Sequence, residues 1–488
     1  MTVVERTSLA PGLTLARALP GLWQVADMER DGRTLDLDAA ARSMLPYVEA
    51  GLTTFDMADH YGSAEDIVGR YRQIAGAPTA ECFTKWVPKP GPVTRDEVRA
   101  AVTRALTRMQ VERIDLLQLH AWQFSDPSWL DALAFLEECR REGLVGALGA
   151  CNFDTAHLTV AMASGIPFVS NQVCCSLIDR RATGRMGAFA EAHGIKILAY
   201  GTLAGGFLSD RWLGKPEPEM ERLATWSQMK YKRFIDTAGG WGAFQKVLHA
   251  VDREAKRLGV SIANVASRWV LEQPGVGGVI VGARLGQSAH LAETQRLFSF
   301  ALDAEARAGL STALAALTSI PGDCGDEYRR PPFLTASGDL SHHLASFPAP
   351  YRVVEGPHGR LQVRSGTSWE TMYGYARAVR SGSRIQVSGT TASHGDRLIG
   401  GTDPYAQAVF VLDKVQGAIE SLGGTLADVV RTRVFVSKIA NWQEVARAHG
   451  ERFGTNTPAI TPANTLVEAR LVGDEYLVEI EAEADVPA

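Results

Sequence analysis

The chain has 488 residues, 45% of them hydrophobic and 22% charged, and its 50 basic and 55 acidic residues give a formal net charge of −5. This composition is typical of a globular protein of two or three domains, and it excludes binding of nucleic acid or anionic membranes through bulk positive charge. The amino terminus lacks the layout of a signal peptide, no apolar run approaches the roughly 18 residues of a membrane span, and six cysteines show no framework spacing. We therefore expect a cytoplasmic enzyme with reduced thiols.

Short apolar segments alternate with longer amphipathic segments through the first 320 residues. The predicted strands are residues 52–57, 82–86, 115–119, 145–149, 168–172, 195–200 and 278–281, and the predicted helices include 95–109, 129–142, 182–192 and 242–258. Strands that are apolar throughout indicate a parallel sheet covered on both faces. About eight βα units over this length favour a closed (β/α)8 TIM barrel, and no Gly-x-Gly-x-x-Gly follows an early strand as an open dinucleotide-binding sheet would require.

A proline-rich stretch separates this α/β part from a second domain. Five prolines fall between Pro321 and Pro350, which predicts a barrel over residues 1–322, a linker over 323–350 and a further domain over 351–488. That domain shows strand patterns at 384–389, 429–436, 465–469 and 476–484 and helical patterns at 407–422 and 442–453, so we expect a small α+β fold. We predict no metal site, because His342-His343 in the linker has no cysteine or acidic cluster nearby.

Four polar residues stand at or just after the ends of predicted barrel strands. Asp56 and Tyr61 follow the first of these strands, Lys85 the next and His120 the one after. Barrel enzymes keep their chemistry at these carboxyl ends. Reduction of a carbonyl by hydride needs a proton donor and groups that polarise the carbonyl. Tyr61 is a candidate donor if the Lys85 ammonium, held by Asp56, favours its anion, and His120 is a candidate to orient the carbonyl oxygen.

These motifs make residues 1 to about 320 resemble the aldo-keto reductase family. The resemblance implies that Asp56, Tyr61, Lys85 and His120 form the catalytic tetrad, with Tyr61 as general acid and NADPH as hydride donor. The motifs that carry it are Asp56-x-Ala58-x-x-Tyr61-Gly62, Thr84-Lys85-Trp86, Asp115-Leu-Leu-Gln-Leu-His120, Asn171-Gln172, Leu198-Ala-Tyr200-Gly-Thr-Leu203 and Gly282-Ala-Arg284.

The same resemblance implies a set of cofactor contacts. Asn152 and Gln172 would bind the nicotinamide carboxamide, and Tyr200 would stack on the ring. Arg284 would hold the adenosine 2′-phosphate, which favours NADPH over NADH. Further contacts would come from Leu203, Gly282, Glu293 and Thr294. His290, Glu293 and Thr294 stand where such reductases more often place Gln, Glu and Asn, so the first and third positions depart from the family pattern.

Two further features bear on the barrel's chemistry. Cys174-Cys175 replaces the polar–aromatic pair that usually follows the glutamine, and either a redox-active pair or two packed core residues would explain it, with packing favoured. Four tryptophans are candidates to line an apolar pocket for a bulky or planar substrate: Trp23, Trp86, Trp122 and Trp226.

Residues from about 351 to 488 resemble the RidA (YjgF) family, with its chorismate-mutase-like α+β fold. The motifs are Gly374-Tyr375-Ala376-Arg377-Ala378-Val379, Val387-Ser388-Gly389-Thr390, Pro462-Ala463-Asn464-Thr465 and Val478-Glu479-Ile480-Glu481-Ala482. Tyr375 and Glu479 match the family's tyrosine and its water-activating glutamate. Asn464 stands where active deaminases carry an arginine that binds the substrate carboxylate, and an amide cannot replace that charged clamp, so hydrolysis of 2-imino acids is disfavoured.

The family is trimeric with clefts between subunits, which implies a homotrimer and leaves three roles open for this domain: assembly, binding of a small ligand, or altered imine chemistry. Three hypotheses for the whole chain follow. The first is an NADPH-dependent carbonyl reductase with a C-terminal RidA-like domain for trimer assembly or ligand binding. The second is a bifunctional enzyme acting on an imine or enamine, and the third is a nicotinamide-sensing assembly protein without catalysis. The expected partner is a small carbonyl or imine compound, with no nucleic acid or membrane.

Overall fold

A computed structural model describes residues 3–29, 32–286, 290–329, 347–454 and 459–487. Most of the predicted linker, including His342-His343, lies outside the described residues. Within the described ranges, no helix is both long and apolar enough to cross a membrane.

Eight parallel strands close into a barrel in the order β10-β3-β4-β5-β6-β7-β8-β9, as predicted. A hairpin of β1 and β2 precedes it, and Leu9 and Leu15 of this hairpin join a buried cluster with Phe83 and Leu116 of the barrel strands. The strands are β1 (Arg6–Ala10), β2 (Leu13–Ala16), β3 (Ala18–Gly21), β4 (Thr54–Asp56), β5 (Glu81–Trp86), β6 (Ile114–His120), β7 (Val145–Cys151), β8 (Phe168–Cys174), β9 (Lys196–Tyr200) and β10 (Val276–Gly282).

The helices of the barrel domain surround these strands and bury their apolar faces against them. Helix α5 begins where the sequence places it, because Thr94 and Glu97 form a reciprocal capping box. The helices are α1 (Trp23–Met28), α2 (Leu37–Arg42), α3 (Leu45–Glu49), α4 (Ala64–Arg72), α5 (Arg95–Met109), α6 (Ser128–Arg141), α7 (Thr155–Ala163), α8 (Arg185–His193), α9 (Trp226–Thr237), α10 (Gly240–Leu258), α11 (Ile262–Leu271), α12 (Leu291–Arg296) and α13 (Ala304–Leu314).

The second domain is a seven-stranded sheet with helices, which agrees with the predicted small α+β fold. The strand order is β11-β12-β13-β14-β19-β17-β18, so β18 is an edge strand that pairs in parallel with β17. Its elements are β11 (Arg352–Glu355), β12 (Leu361–Arg364), α14 (Ser368–Met372), β13 (Ala378–Ser381), β14 (Arg384–Thr391), β15 (Ser393–His394), β16 (Arg397–Leu398), α15 (Pro404–Ser421), β17 (Val429–Val436), α16 (Trp442–Phe453), β18 (Ala463–Glu468) and β19 (Val478–Asp485).

The two domains meet where α15 packs on α7, and a buried charge cluster lies in this interface. The His157 ring nitrogens lie 2.7 Å from Asp154 of the barrel and 3.1 Å from Asp413 of the small domain. Asp413 also accepts a hydrogen bond from Arg452. Burial acts to lower the pKa of His157, but the two carboxylates outweigh it and raise that pKa, which favours the charged imidazolium. The cluster therefore contributes an ion pair that spans the two domains.

A second aspartate joins the domains nearer to solvent. Asp131 of α6 lies 2.9 Å from the His394 ring and accepts a hydrogen bond from Arg397. Both aspartates thus bridge a histidine and an arginine, but Asp413 is 1% exposed and Asp131 29%.

Candidate active site

Four polar side chains meet at the carboxyl end of the barrel. Asp56 ends β4, Lys85 lies next to the end of β5, and His120 ends β6. Tyr61 follows β4 in the loop before α4. All four line one cavity of about 740 Å³, so the structure brings the predicted tetrad together where barrel enzymes place their chemistry.

Asp56 and Lys85 form a buried ion pair on the floor of this cavity. The Lys85 ammonium donates to the two carboxylate oxygens at 2.8 and 2.9 Å and to the carbonyl of Met57 at 2.6 Å. These three acceptors match its three N–H groups, so the ammonium is held in one position. From there it lies 4.7 Å from the centre of the Tyr61 ring.

The turn after Tyr61 requires a glycine. Gly62 has a positive φ of 56°, and a Cβ at this position would lie 2.0 Å from a carboxylate oxygen of Glu29. Glu29 accepts from the backbone N–H and the hydroxyl of Ser63 at 2.8 and 2.6 Å. Glycine adopts this conformation without strain, and any side chain here would also displace the Glu29 carboxylate from Ser63, so the glycine turn fixes where Tyr61 enters the cavity.

The protonation of Tyr61 differs from the sequence-based expectation. Burial and the nearby Asp56 carboxylate raise the pKa of Tyr61 well above its usual value, whereas we expected Lys85 to favour the anion. The reason is that Asp56 neutralises Lys85 in direct contact, so the pair presents little net positive charge to the phenol. Tyr61 consequently keeps its proton at neutral pH and is able to donate it.

His120 presents a second hydrogen-bond donor. Asn152 takes a hydrogen bond from the Tyr200 hydroxyl at 2.7 Å through Oδ1, which turns its Nδ2 toward His120 Nδ1 at 3.3 Å. In the tautomer whose Nδ1 accepts this bond, the ring proton is on Nε2, a buried atom that has no hydrogen-bond partner among the described residues. Burial and the Arg329 guanidinium lower the pKa of His120 well below its usual value, so the ring is neutral.

The residues expected to bind the cofactor line the same cavity. Gln172 donates to Asp56 at 2.7 Å, and the exposed Arg284 at the rim donates to Gln24 at 3.2 Å. At Gly206 a Cβ would meet nothing within 4 Å, so the backbone there is open, as close binding of a dinucleotide requires. The expected residues along the cavity are Asn152, Gln172, Tyr200, Leu203, Gly282, Arg284, Glu293 and Thr294.

Residues 323–329, which we call the clasp, were assigned to the linker by sequence but pack against the barrel mouth. Arg329 donates to the carbonyls of Asn152 and Ala121 at 2.6 and 2.5 Å, and Glu327 accepts from Arg181 at 2.9 Å. Tyr328 lines the cavity with its ring centre 5.3 Å from that of His120. These functional candidates escape prediction from the sequence because the adjoining prolines dominate the local composition. The one indication in the sequence was Tyr328, an aromatic residue between charged residues shortly before Pro331-Pro332.

Three of the four tryptophans expected at a substrate pocket line the cavity. Trp23 packs edge-on against Tyr61, with ring centres 5.0 Å apart, and Trp122 packs edge-on against His120 at 4.4 Å. Trp226 also lines the cavity, whereas Trp86 is buried in the barrel's core and does not. The space beside the tetrad is accordingly bounded by aromatic rings.

Cys174 and Cys175 are both buried free thiols. Burial raises the pKa of each thiol above its usual value. Thiolates are the reactive form, so these two residues have the character of core side chains and not of a redox pair.

The small domain brings two of its three expected residues together. Arg377, which is buried, donates to the Tyr375 hydroxyl at 3.2 Å and to the Gly389 carbonyl at 2.6 Å. A Cβ on Gly389 would lie 1.9 Å from a Glu479 carboxylate oxygen, so Glu479 rests against this glycine. Burial, followed by Glu481, raises the pKa of Glu479. A protonatable carboxyl and a guanidinium thus share one site with Tyr375.

Asn464 lies elsewhere in the chain's own fold. It is exposed on the edge strand β18 and donates to the Thr432 hydroxyl at 2.9 Å. Thr432 pairs with Ala482 of β19, three residues beyond Glu479, so one chain does not bring Asn464 to the Glu479 site.

Comparisons with known proteins identify both regions. Residues 20–313 match the model of the aldo/keto reductase family, and residues 366–486 match that described as endoribonuclease L-PSP. The chain is 26% identical to aldo-keto reductase YhdN of Bacillus subtilis over 354 residues, which covers 67% of this chain and 98% of that protein. A glycerol dehydrogenase from Gluconobacter oxydans superposes with a TM-score of 0.53 at 23% identity, covering 66% of this chain and 98% of its own.

For the small domain, a structure of a YjgF/YER057c/UK114-family protein from Mycobacterium tuberculosis is 42% identical. The match covers 26% of this chain and 99% of that chain, with a TM-score of 0.23.

Proposed function

This chain belongs to the aldo/keto reductase family, with a RidA/L-PSP-family domain after the barrel, and we propose that the barrel reduces an aldehyde or ketone with NADPH. The observation that carries the proposal is the arrangement of two neutral donors, Tyr61 and His120, above the buried Asp56–Lys85 pair in one cavity. Such an arrangement suits a reaction in which negative charge develops on a carbonyl oxygen.

The proposed chemistry divides between the cofactor and the tetrad. NADPH, when bound, supplies a hydride to the carbonyl carbon. The His120 Nε2–H holds the carbonyl oxygen, and Tyr61 transfers its proton to that oxygen. As Tyr61 loses its proton to the carbonyl oxygen, the negative charge that develops on that oxygen is neutralised, and the phenolate is left beside the Asp56–Lys85 pair, with its ring centre 4.7 Å from the Lys85 ammonium.

Replacing Tyr61 with Phe tests the general acid. We expect kcat to fall by about 10²–10⁴-fold, because a positioned proton donor contributes a factor of that order, while NADPH affinity persists. The exposed Tyr373→Phe is the matched control and should leave turnover unchanged. Undiminished turnover by Tyr61→Phe would refute the proposal. Tight NADPH binding with no oxidation by a panel of aldehydes and ketones would instead support the nicotinamide-sensing hypothesis.

We assign the preference for NADPH to Arg284. Its exposed guanidinium stands at the cavity rim beside Gln24, where it is free to form charge-assisted bonds with a 2′-phosphate. In Arg284→Gln we expect KM for NADPH to rise at least about tenfold while KM for NADH stays within twofold. Arg253→Gln, at an exposed arginine outside the cavity, is the control. Equal effects on both cofactors would contradict this assignment.

The small domain is proposed to assemble the chain into a homotrimer. Nine of the eleven large hydrophobic residues exposed in the described ranges fall in this domain, and they include Trp369, Met372 and Val467. Exposed apolar residues are typical of interaction surfaces, and one of them, Val467, lies on β18, whose outer edge is unpaired among the described residues. We expect light scattering to give three times the chain mass of 52.7 kDa, and Val467→Glu to give monomers, whereas Val3→Glu stays trimeric. A monomeric native protein would refute this role.

A bifunctional enzyme is the second candidate, favoured by the Tyr375–Arg377–Glu479 site. Burial raises the pKa of Glu479, which makes its carboxylate a stronger base toward an imine or enamine than an exposed glutamate would be. Glu479→Gln should then alter the products formed from a cyclic imine. An unaltered product distribution would count against chemistry in this domain and leave it with assembly and ligand binding.

A further inference from the structure

Lys230 of α9 is a buried cation in the wall of the barrel cavity that the reaction proposed above does not use. The residue is 9% exposed, and its side chain lines the cavity. Its ammonium donates to the Tyr328 hydroxyl at 2.9 Å. No carboxylate of the described residues lies within 4 Å of it, whereas most buried cations have such a partner.

The nearest carboxylate is already engaged by other groups. Glu327 accepts from Arg181 at 2.9 Å and from the Tyr200 hydroxyl at 3.1 Å. Burial acts to raise the pKa of Glu327, but Arg181 and Lys230 lower it to about 2, so it stays ionised. Arg181 is also bound by both oxygens of Asp179. Arg181 therefore satisfies both carboxylates by direct contact, and Lys230 interacts with Glu327 only at longer range.

Aromatic rings surround the ammonium in place of an anion. It lies 4.5 Å from the centre of the Tyr328 ring, 5.1 Å from Tyr200, 5.6 Å from Tyr231 and 5.8 Å from Phe234. Ring faces stabilise a cation but accept no strong hydrogen bond. Two of the three N–H groups consequently have no hydrogen-bond acceptor among the described residues. Burial acts to lower the pKa of Lys230, but Tyr328 and Glu327 raise it, so the side chain is charged.

Tyr328 connects this cation with the reacting end of the cavity. Its hydroxyl contacts Lys230, and its ring packs edge-on against His120 with centres 5.3 Å apart. Trp122 packs on the same imidazole from another side. A carbonyl compound held by His120 would thus extend between aromatic walls toward an ammonium with open donors.

We propose that Lys230 binds a carboxylate of the substrate, so that the barrel prefers aldehydes or ketones that carry an acid group separated from the carbonyl by a short apolar spacer. This inference rests on the proposed reductase function and names its substrate class. A charge-assisted bond from a buried ammonium to a carboxylate accounts for a preference of about 10- to 100-fold over a neutral analogue.

The test compares charged and neutral forms of the same aldehyde. With the full chain and NADPH, kcat/KM is measured for succinate semialdehyde and 4-formylbenzoate, each against its methyl ester. We expect the wild-type protein to prefer at least one acid by about tenfold or more. Lys230→Met and Lys230→Gln should reduce that ratio to near one, and Lys230→Arg should retain most of it. The exposed Lys246→Met, outside the cavity, is the matched control.

Two results would overturn the inference: equal rates for every acid and its ester in the wild-type protein, or a preference that survives both uncharged variants. A binding experiment separates this failure from failure of the reductase proposal. Calorimetry measures 4-(hydroxymethyl)benzoate and its methyl ester on the NADP⁺-bound protein, with no turnover needed. Suppose that no aldehyde is reduced, but that Lys230→Gln lowers the affinity for the acid by tenfold and leaves the affinity for the ester unchanged. The carboxylate site at Lys230 is then supported and the reductase proposal is refuted. Equal affinities for the acid and its ester, in both the wild-type protein and Lys230→Gln, would refute the carboxylate site.

Discussion

The buried aspartate between the domains allows a test of how much the charge cluster at their interface contributes to stability. Asp413 is 1% exposed and bridges His157 of the barrel and Arg452 of its own domain. Asp413→Asn keeps the shape of the side chain but removes its charge, which leaves two buried cations with one carboxylate fewer. Removing one partner of a buried ion pair costs about 3–5 kcal/mol.

Asp131 provides the matched control, because it also bridges a histidine and an arginine across the interface, at 29% exposure. Asp131 and its partners are only half-buried, and ion pairs that solvent reaches contribute less than buried ones, so Asp131→Asn should lower stability much less than Asp413→Asn. Urea unfolding, followed by tryptophan fluorescence at pH 6, measures both variants. With a slope m of at most about 3 kcal/mol/M, a loss of about 3 kcal/mol lowers the small-domain midpoint by about 1 M or more. Equal midpoints for the two variants would refute the assignment of the interface energy to the buried cluster.

Three further predictions follow from the pKa directions and from the Tyr61 turn. The pKa of His157 is raised in the folded protein, so the stability that its charge contributes is complete below about pH 6.5 and is lost as pH rises through the raised pKa. The urea midpoint should therefore fall between pH 6 and pH 9, and His157→Gln should make the midpoint less dependent on pH. Gly62→Ala should lower kcat by about tenfold or more, whereas Gly76→Ala should not, because Gly76 also has a positive φ, of 76°, but open space around it; similar kcat values would contradict the clash. The kcat profile should stay level from about pH 6.5 to 10, since the pKa of His120 lies well below and that of Tyr61 well above this range, and a fall inside it would refute the assigned protonation states.

Local pattern was sufficient to predict most barrel strands, because their apolar runs end abruptly in polar residues such as Asp56 and His120. The first barrel strand, β3, escaped prediction, since it has only four residues and ends in Pro20-Gly21. Its place in the sheet depends on pairing with β10 and β4, which are distant in sequence.

The features that could not be predicted depend on distances between side chains. Glu327 and Arg329 have the composition of solvent-exposed residues, yet Glu327 is buried against Arg181, and Arg329 bonds to two loop carbonyls. The protonation of Tyr61 likewise follows from how closely Asp56 contacts Lys85, and no motif encodes that separation. The residue types indicated which side chains form the site, whereas the tertiary contacts of those side chains determine which of them are charged.

The clasp bears on how the two domains would be separated. A barrel excised at residue 322, where prolines begin to dominate, would lack the Tyr328 wall of its cavity and the guanidinium that ties the loops after β6 and β7. Such a fragment would fail as a reductase for reasons unrelated to its missing neighbour. Dissection of the fused gene should therefore keep residues through 329 with the barrel.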